Sequence, residues 1–239
     1  DNEAVAHDTP EKIKTFDIDP TAGVTAENLA ELTGALKLEG EAMINISKGD
    51  QFAPEFLKIA PNNRMPAIID QAPADGGASI SLFESGAIMQ YLARKHGQFY
   101  PVDDVRAQAE VDQWLFWQVG GLGPMAGQCH HFRHYAPEKI PYGIERYTNE
   151  VSRLYGVLDR RLADREFVAG AYSIADMAIW PWAKLWENQG QDLSKFPHMQ
   201  RWLEQIAARP AVVKGLAVGE GWREKNPVTD EKARAILFG

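Results

Sequence analysis

Cysteine is nearly absent: Cys129 is the only one among 239 residues. That excludes an intrachain disulfide and a Cys-x-x-Cys redox pair within this sequence. Such usage fits a reducing compartment, so the expected location is cytoplasmic. Sulfur chemistry needing a second thiol must borrow it from a small molecule. Long apolar runs are missing too, and none approaches the ~20 residues a membrane-spanning helix needs. The first stretch, DNEAVAHDTPEK, has no apolar core of the signal-peptide kind and is expected to be frayed. Basic charge is short: 25 Lys and Arg against 33 Asp and Glu leave a net charge of −8. Phosphate backbones and anionic lipid need a basic surface, so nucleic acid and membrane are not the expected partners. A local basic pocket is compatible with this balance.

What is present is an ordinary globular composition, 45% apolar and 24% charged, on a chain long enough for two domains. KIKTFDI has the period-two pattern of a strand, and Leu29, Leu32 and Leu36 fall at helical spacing after a Thr25 N-cap. EAMINI reads as a strand and APEFLKIAP as a short helix closed by Pro61. MPAIID and SISLFE are strands joined through QAPADGG, and SGAIMQYLARKHG is a helix stopped by Gly97. This β-α-β-α-β-β-α order describes an α/β sheet domain over residues 1–97, with 1–12 frayed. Beyond a linker at 98–103 the pattern is helical only, over 104–218, with helices expected at Asp103–Gln118, Ile144–Ala163, Tyr172–Trp186 and Pro197–Ala208. A polar tail follows at 219–239.

Four short stretches contain candidate chemistry. In NNRMPAI, Pro66 opens an otherwise good strand, so it either lies at a plain edge or follows a cis bond that would present the Met65 backbone to an extended peptide. In LFESGAI, Ser85 stands where an N-cap is expected, a place for a carboxylate, with Glu84 beside it for an ammonium group. The alternative is an ordinary cap next to a surface Glu. Ser173 and Asp176 in YSIADMAIW form a capping box, which is structural. His130, His131 and His134 in QCHHFRH cluster on a helix, but the motif lacks the Glu of a zinc helix, so a polar wall and no metal are expected. Cys129 is expected to be a packed thiol.

NNRMPAI, LFESGAI and SIAD, in this order on an α/β domain followed by a helical one, resemble the glutathione transferases. APADGG, QWLFWQVGGLGPM and IPYGIERY are similar to the bacterial Nu-class and Ure2-like branch, whose bacterial members are glutathione-dependent disulfide-bond reductases. The resemblance implies a thioredoxin-like N-terminal domain, an all-α C-terminal domain and a homodimer. It implies that Met65, before a cis Pro66, pairs with the cysteinyl unit of glutathione, and that Glu84 and Ser85 hold the γ-glutamyl head. Arg64 then meets a glycyl carboxylate or a second glutathione, and Gln51 and Arg146 also reach the tripeptide. Glutathione serves as cosubstrate, two per site or as the disulfide, and the second substrate is a small disulfide, a peroxide or an electrophile. The wall facing that substrate is expected around Trp117, Met125 and Phe132.

One segment departs from the family pattern. That branch carries Thr-Pro-Asn-Gly after its first strand, where hydroxyl and amide stabilise the thiolate; here the sequence reads DIDPTAGVTAENLAEL. Thr21 and Thr25 are the hydroxyl donors in reach, and they are the candidate thiolate stabilisers. A glutathione-binding protein without turnover is the alternative expectation.

Overall fold

The computed structural model describes residues 44–217, together with Ala233, Ala235 and Ile236. The expected first strand and first helix, with Thr21 and Thr25, lie outside the described residues, as does most of the tail.

The expected strand EAMINI does not include its last residues. Asn45 caps a short 3-10 turn, Ile46–Lys48, by accepting from the Ser47 N–H at 3.1 Å. Asn is a strong cap and a poor strand residue, so the local bond overrides the apolar alternation. A second 3-10 turn, Asp50–Phe52, leads into helix α1, Pro54–Ile59, which starts on proline as a helix can.

Strands β1, Ala67–Asp70, and β2, Ile80–Phe83, pair antiparallel with Ala67 opposite Phe83 and Asp70 opposite Ile80. The QAPADGG connection turns between them, with Gly76 at φ 70°. Helix α2, Ser85–His96, follows directly. It ends at Gly97, whose φ of 65° and N–H to the Ala93 carbonyl form a left-handed cap. Asp70 at the end of β1 accepts from Tyr91 Oη at 2.6 Å and pairs with Lys95, tying the sheet to α2.

Helix α3, Val105–Trp117, is capped by Asp104, which accepts from the Arg106 and Ala107 N–H groups. It runs without a break through a π-helical stretch, Gln118–Leu122, into α4, Gly123–His130. A second π stretch, His131–Tyr135, ends this run before α5, Pro141–Arg161. Helix α5 buries Val151, Leu154, Tyr155 and Leu158 on one face. Helix α6, Ile174–Ala183, is buried on all sides, as a sequence apolar at every position but Asp176 requires. Its capping box has both bonds, Ser173 accepting at the helix end and Asp176 reaching back to the Ser173 N–H at 3.1 Å. Asp176 also accepts from Val168 N–H and Trp202 Nε1. Helices α7, Pro197–Ala207, and α8, Pro210–Ala217, complete the helical part.

A large core joins α2 to the helical part: Ile88, Met89 and Leu92 pack with Val111 and Leu115 of α3 and with α6. A small cluster, Phe56, Ile59, Ala60 and Ala67, closes α1 on β1. Among the described residues no helix is long and apolar enough to cross a membrane.

Candidate functional site

A cleft of about 200 Å³ lies between the two parts. One wall comes from the sheet side: Arg64, Met65 and Pro66 before β1, then Phe83, Glu84 and Ser85 where β2 turns into α2. The helical part supplies the facing wall, with Gln118 and Val119 in the first π stretch, Gly123 and Pro124 opening α4, and Trp182 from α6.

The Met65–Pro66 bond is cis, the second of the two alternatives the sequence left open. Ser85 is not the N-cap. Glu84 occupies that position with φ 67° and ψ 116°, its side chain makes no capping bond, and Ser85 is the first helical residue. Ser85 at the start of α2 lines the cleft, and a helix start with no side-chain cap favours an anion. Left-handed φ at a glutamate costs on the order of 1–3 kcal/mol and is found mainly where function requires it. Asn62 Nδ2 donates to Glu84 Oε1 at 3.4 Å, and both groups are exposed. Arg64 donates to the Asn63 carbonyl at 3.3 Å and is otherwise directed to solvent. Cation and anion therefore stand on the same wall, the anion at the start of α2.

Gln51 and Arg146 are not part of the cleft lining. Gln51 is buried in its 3-10 turn, where Nε2 donates to the Ile46 carbonyl at 3.3 Å and Oε1 has no partner. Arg146 is exposed in the second turn of α5. The expected wall of Trp117, Met125 and Phe132 also lies elsewhere: Trp117 packs on Trp114, and Phe132 stacks on Tyr147 at 5.3 Å. The π stretch rotates the helix, so Gln118 and Val119 reach the cleft where ideal periodicity points to Trp117. The glycine pair in QVGGLG was the only sequence sign of that change.

The histidine cluster sits behind the cleft. His130 is buried against Trp182, with ring centroids 6.5 Å apart, and burial, with His134 and Arg133 nearby, pushes its pKa down to about 4. His134 Nε2 donates to the Asn188 carbonyl at 2.7 Å. Cys129 is fully buried, its thiol 3.5 Å from the Gln189 carbonyl, and burial pushes its pKa up. It is a packed thiol, without the electropositive, accessible setting of a nucleophile.

Two family models match this chain: the glutathione S-transferase N-terminal domain over residues 31–94 and the C-terminal domain over residues 144–210. The disulfide-bond oxidoreductase YfcG of Escherichia coli is 55% identical over 174 residues, covering 72% of this chain and 80% of that protein. A glutathione transferase from Burkholderia graminis, solved with two glutathione molecules bound per subunit, superposes with a TM-score of 0.77 at 39% identity. The match covers 88% of this chain and 90% of that one. A glutathione transferase from Pseudomonas putida, solved with one glutathione disulfide per subunit, gives a TM-score of 0.77 at 37% identity, covering 89% and 94%. The chain belongs to the glutathione transferase superfamily. Its architecture is a thioredoxin-like N-terminal domain followed by an all-helical C-terminal one.

Proposed function

We propose that the protein is a glutathione-dependent disulfide-bond reductase. The observation that carries this reading is the wall on which Glu84 in its left-handed conformation, the uncapped start of α2 and the cis Met65–Pro66 bond meet. The γ-glutamyl ammonium meets the Glu84 carboxylate, and its carboxylate meets the Ser85 hydroxyl and first-turn N–H groups. The backbone of Met65 pairs with the cysteinyl unit, and Arg64 meets the glycyl carboxylate. The likeness to glutathione-bound transferases and to a disulfide-bond oxidoreductase supports this assignment. Gln51 and Arg146, away from the lining, receive no contact in this scheme.

The chemistry is thiol–disulfide exchange. Glutathione loses its thiol proton, and Thr21 or Thr25 stabilises the thiolate by donating a hydrogen bond. The thiolate attacks one sulfur of the substrate disulfide. The old S–S bond breaks, a mixed disulfide forms, and the departing thiolate takes up a proton. A second glutathione thiolate then attacks the mixed disulfide, giving glutathione disulfide and the second substrate thiol. The protein's single cysteine is not used. Peroxides and electrophiles are further acceptors for the same thiolate. We place the enzyme in the cytoplasm as a homodimer.

The missing Thr-Pro-Asn-Gly turn favours one rival, a glutathione-binding protein without turnover. Reduction of bis(2-hydroxyethyl) disulfide by glutathione separates the two. The enzyme reading expects turnover above the uncatalysed rate, reduced in Thr21→Val or Thr25→Val. Glutathione binding with no turnover in the wild type supports the rival and overturns the enzyme.

A further inference from the structure

The two walls of the cleft are carried by neighbouring helices. Helix α2 begins at Ser85 on one wall, and α3 runs on into the π-helical stretch that places Gln118 and Val119 on the other. The two come close beside the cleft: a Cβ built on Gly86 would sit 3.2 Å from Val119 Cγ2 and 3.9 Å from Leu115 Cδ1. Most of what lies between the helices is apolar, with Ile88, Met89 and Leu92 against Val111 and Leu115. Such contacts are non-directional, whereas a hydrogen bond fixes distance and angle. Asp112 on α3 supplies the directional element. Its Oδ1 accepts from Gln90 Nε2 of α2 at 2.8 Å, and its Oδ2 accepts from Tyr100 Oη at 3.0 Å. Tyr100 is buried in the connection between the helices. Arg94 of α2 donates to its hydroxyl at 3.2 Å and lies over its ring, 5.0 Å from the centroid. Among the described residues, Gln90 to Asp112 is the one side-chain hydrogen bond from α2 to α3.

We propose that Asp112 is a positioning residue whose bonds to Gln90 and Tyr100 set the spacing of the two cleft walls. Gln90 lies about 7.5 Å along α2 from Ser85, and Asp112 about 9 Å before Gln118, at a helical rise of about 1.5 Å per residue. One carboxylate thus ties both helices within about two turns of the groups that face the cleft. A change in packing at this point moves one wall against the other. A misplacement of about 1 Å, even from a site far from the chemistry, can cost on the order of a hundredfold in rate. Glutathione in the proposed site touches only the residues before β1 and the start of α2, so it does not span the gap. A long substituent on its sulfur reaches the helical wall and does span it. The spacing therefore acts on the second substrate of the exchange more than on glutathione. This inference rests on the glutathione reading of the cleft.

Titration calorimetry with glutathione and S-hexylglutathione tests it, on variants whose thermal unfolding midpoints show them folded at the working temperature. Asp112→Leu and Gln90→Leu remove the bond between the helices. Asp112→Asn keeps both partners, since its oxygen accepts from Gln90 and its amide donates to Tyr100 Oη. Each Leu variant is expected to weaken S-hexylglutathione about threefold to tenfold, the scale of one net hydrogen bond. Glutathione should stay within about twofold, as for changes that leave its own contacts intact. Asp112→Asn should hold both ligands within about twofold. A purely structural role lowers the unfolding midpoint and leaves the ratio of the two affinities alone. An unchanged ratio in both Leu variants, through no loss or through equal loss, therefore overturns the positioning role while the glutathione reading stands. A loss in Asp112→Asn equal to that in Asp112→Leu overturns it as well. If Asp112→Leu does not fold, Gln90→Leu decides. A wild type that binds no glutathione overturns the glutathione reading, and the positioning role with it.

Discussion

Gly123 and Gln118 occupy one space: a Cβ at position 123 would lie 2.7 Å from Nε2 and 3.3 Å from the backbone oxygen of Gln118. Gly123→Ala therefore pushes the carboxamide out of the cleft. The far end of a Gln side chain can move, and Ala gains helix propensity over Gly, so the stability change should stay within about 1 kcal/mol. Denaturant unfolding of the variant beside the wild type checks it.

Glu84 combines binding with backbone cost. Its φ of 67° is the left-handed region where only glycine sits freely. Glu84→Gly relieves that cost but adds freedom to the unfolded chain, so the net gain should be about 1 kcal/mol. Binding of glutathione should fall in the same variant. A thermal unfolding midpoint that drops in Glu84→Gly contradicts the strain assignment.

Two buried titratable groups oppose one another in acid. His130 is held near 4, below its unfolded value, so the unfolded chain binds the extra proton and stability is lost as pH falls from about 6.5 to 4. Burial raises Asp176 to about 6, above its unfolded value, so the folded protein holds the extra proton and stability falls as pH rises from about 4 to 6. Urea unfolding across pH 4–7 resolves them. The stability difference between wild type and His130→Gln should grow with rising pH, and that between wild type and Asp176→Asn should shrink.

Phe116 on α3 is 65% exposed and offers a large apolar surface for a contact. We place it in the interface of the proposed homodimer. Sedimentation should give a dimer for the wild type and a monomer for Phe116→Glu, since a desolvated charge at a contact costs several kcal/mol.

The hairpin, the α2 helix with its Gly97 stop and the Ser173–Asp176 box were legible because each rests on local chemistry: alternation, a left-handed cap, a reciprocal bond. The wall proposed for the glutathione head was marked out by LFESGAI, although the N-cap falls on Glu84; a serine motif does not reveal a left-handed φ at its neighbour. The facing wall was not legible. Trp117 and Phe132 looked suited to a cleft by residue type, but an added residue per turn at Gln118–Leu122 shifts the face, and apolar spacing does not encode that shift. Arg146 illustrates the same limit, since its motif gives a position on α5 and not the reach of its side chain.

In the proposed site, Glu84 holds glutathione by its head group. Ala shares the backbone cost of Glu at φ 67°, so Glu84→Ala removes the carboxylate and leaves the strain in place. The decisive measurement is calorimetric titration of glutathione into wild type and Glu84→Ala at matched stability. Binding by the wild type and a loss of about tenfold or more in the variant, the scale of a charge-assisted hydrogen bond, is the predicted result. Equal affinity in the two proteins contradicts the site.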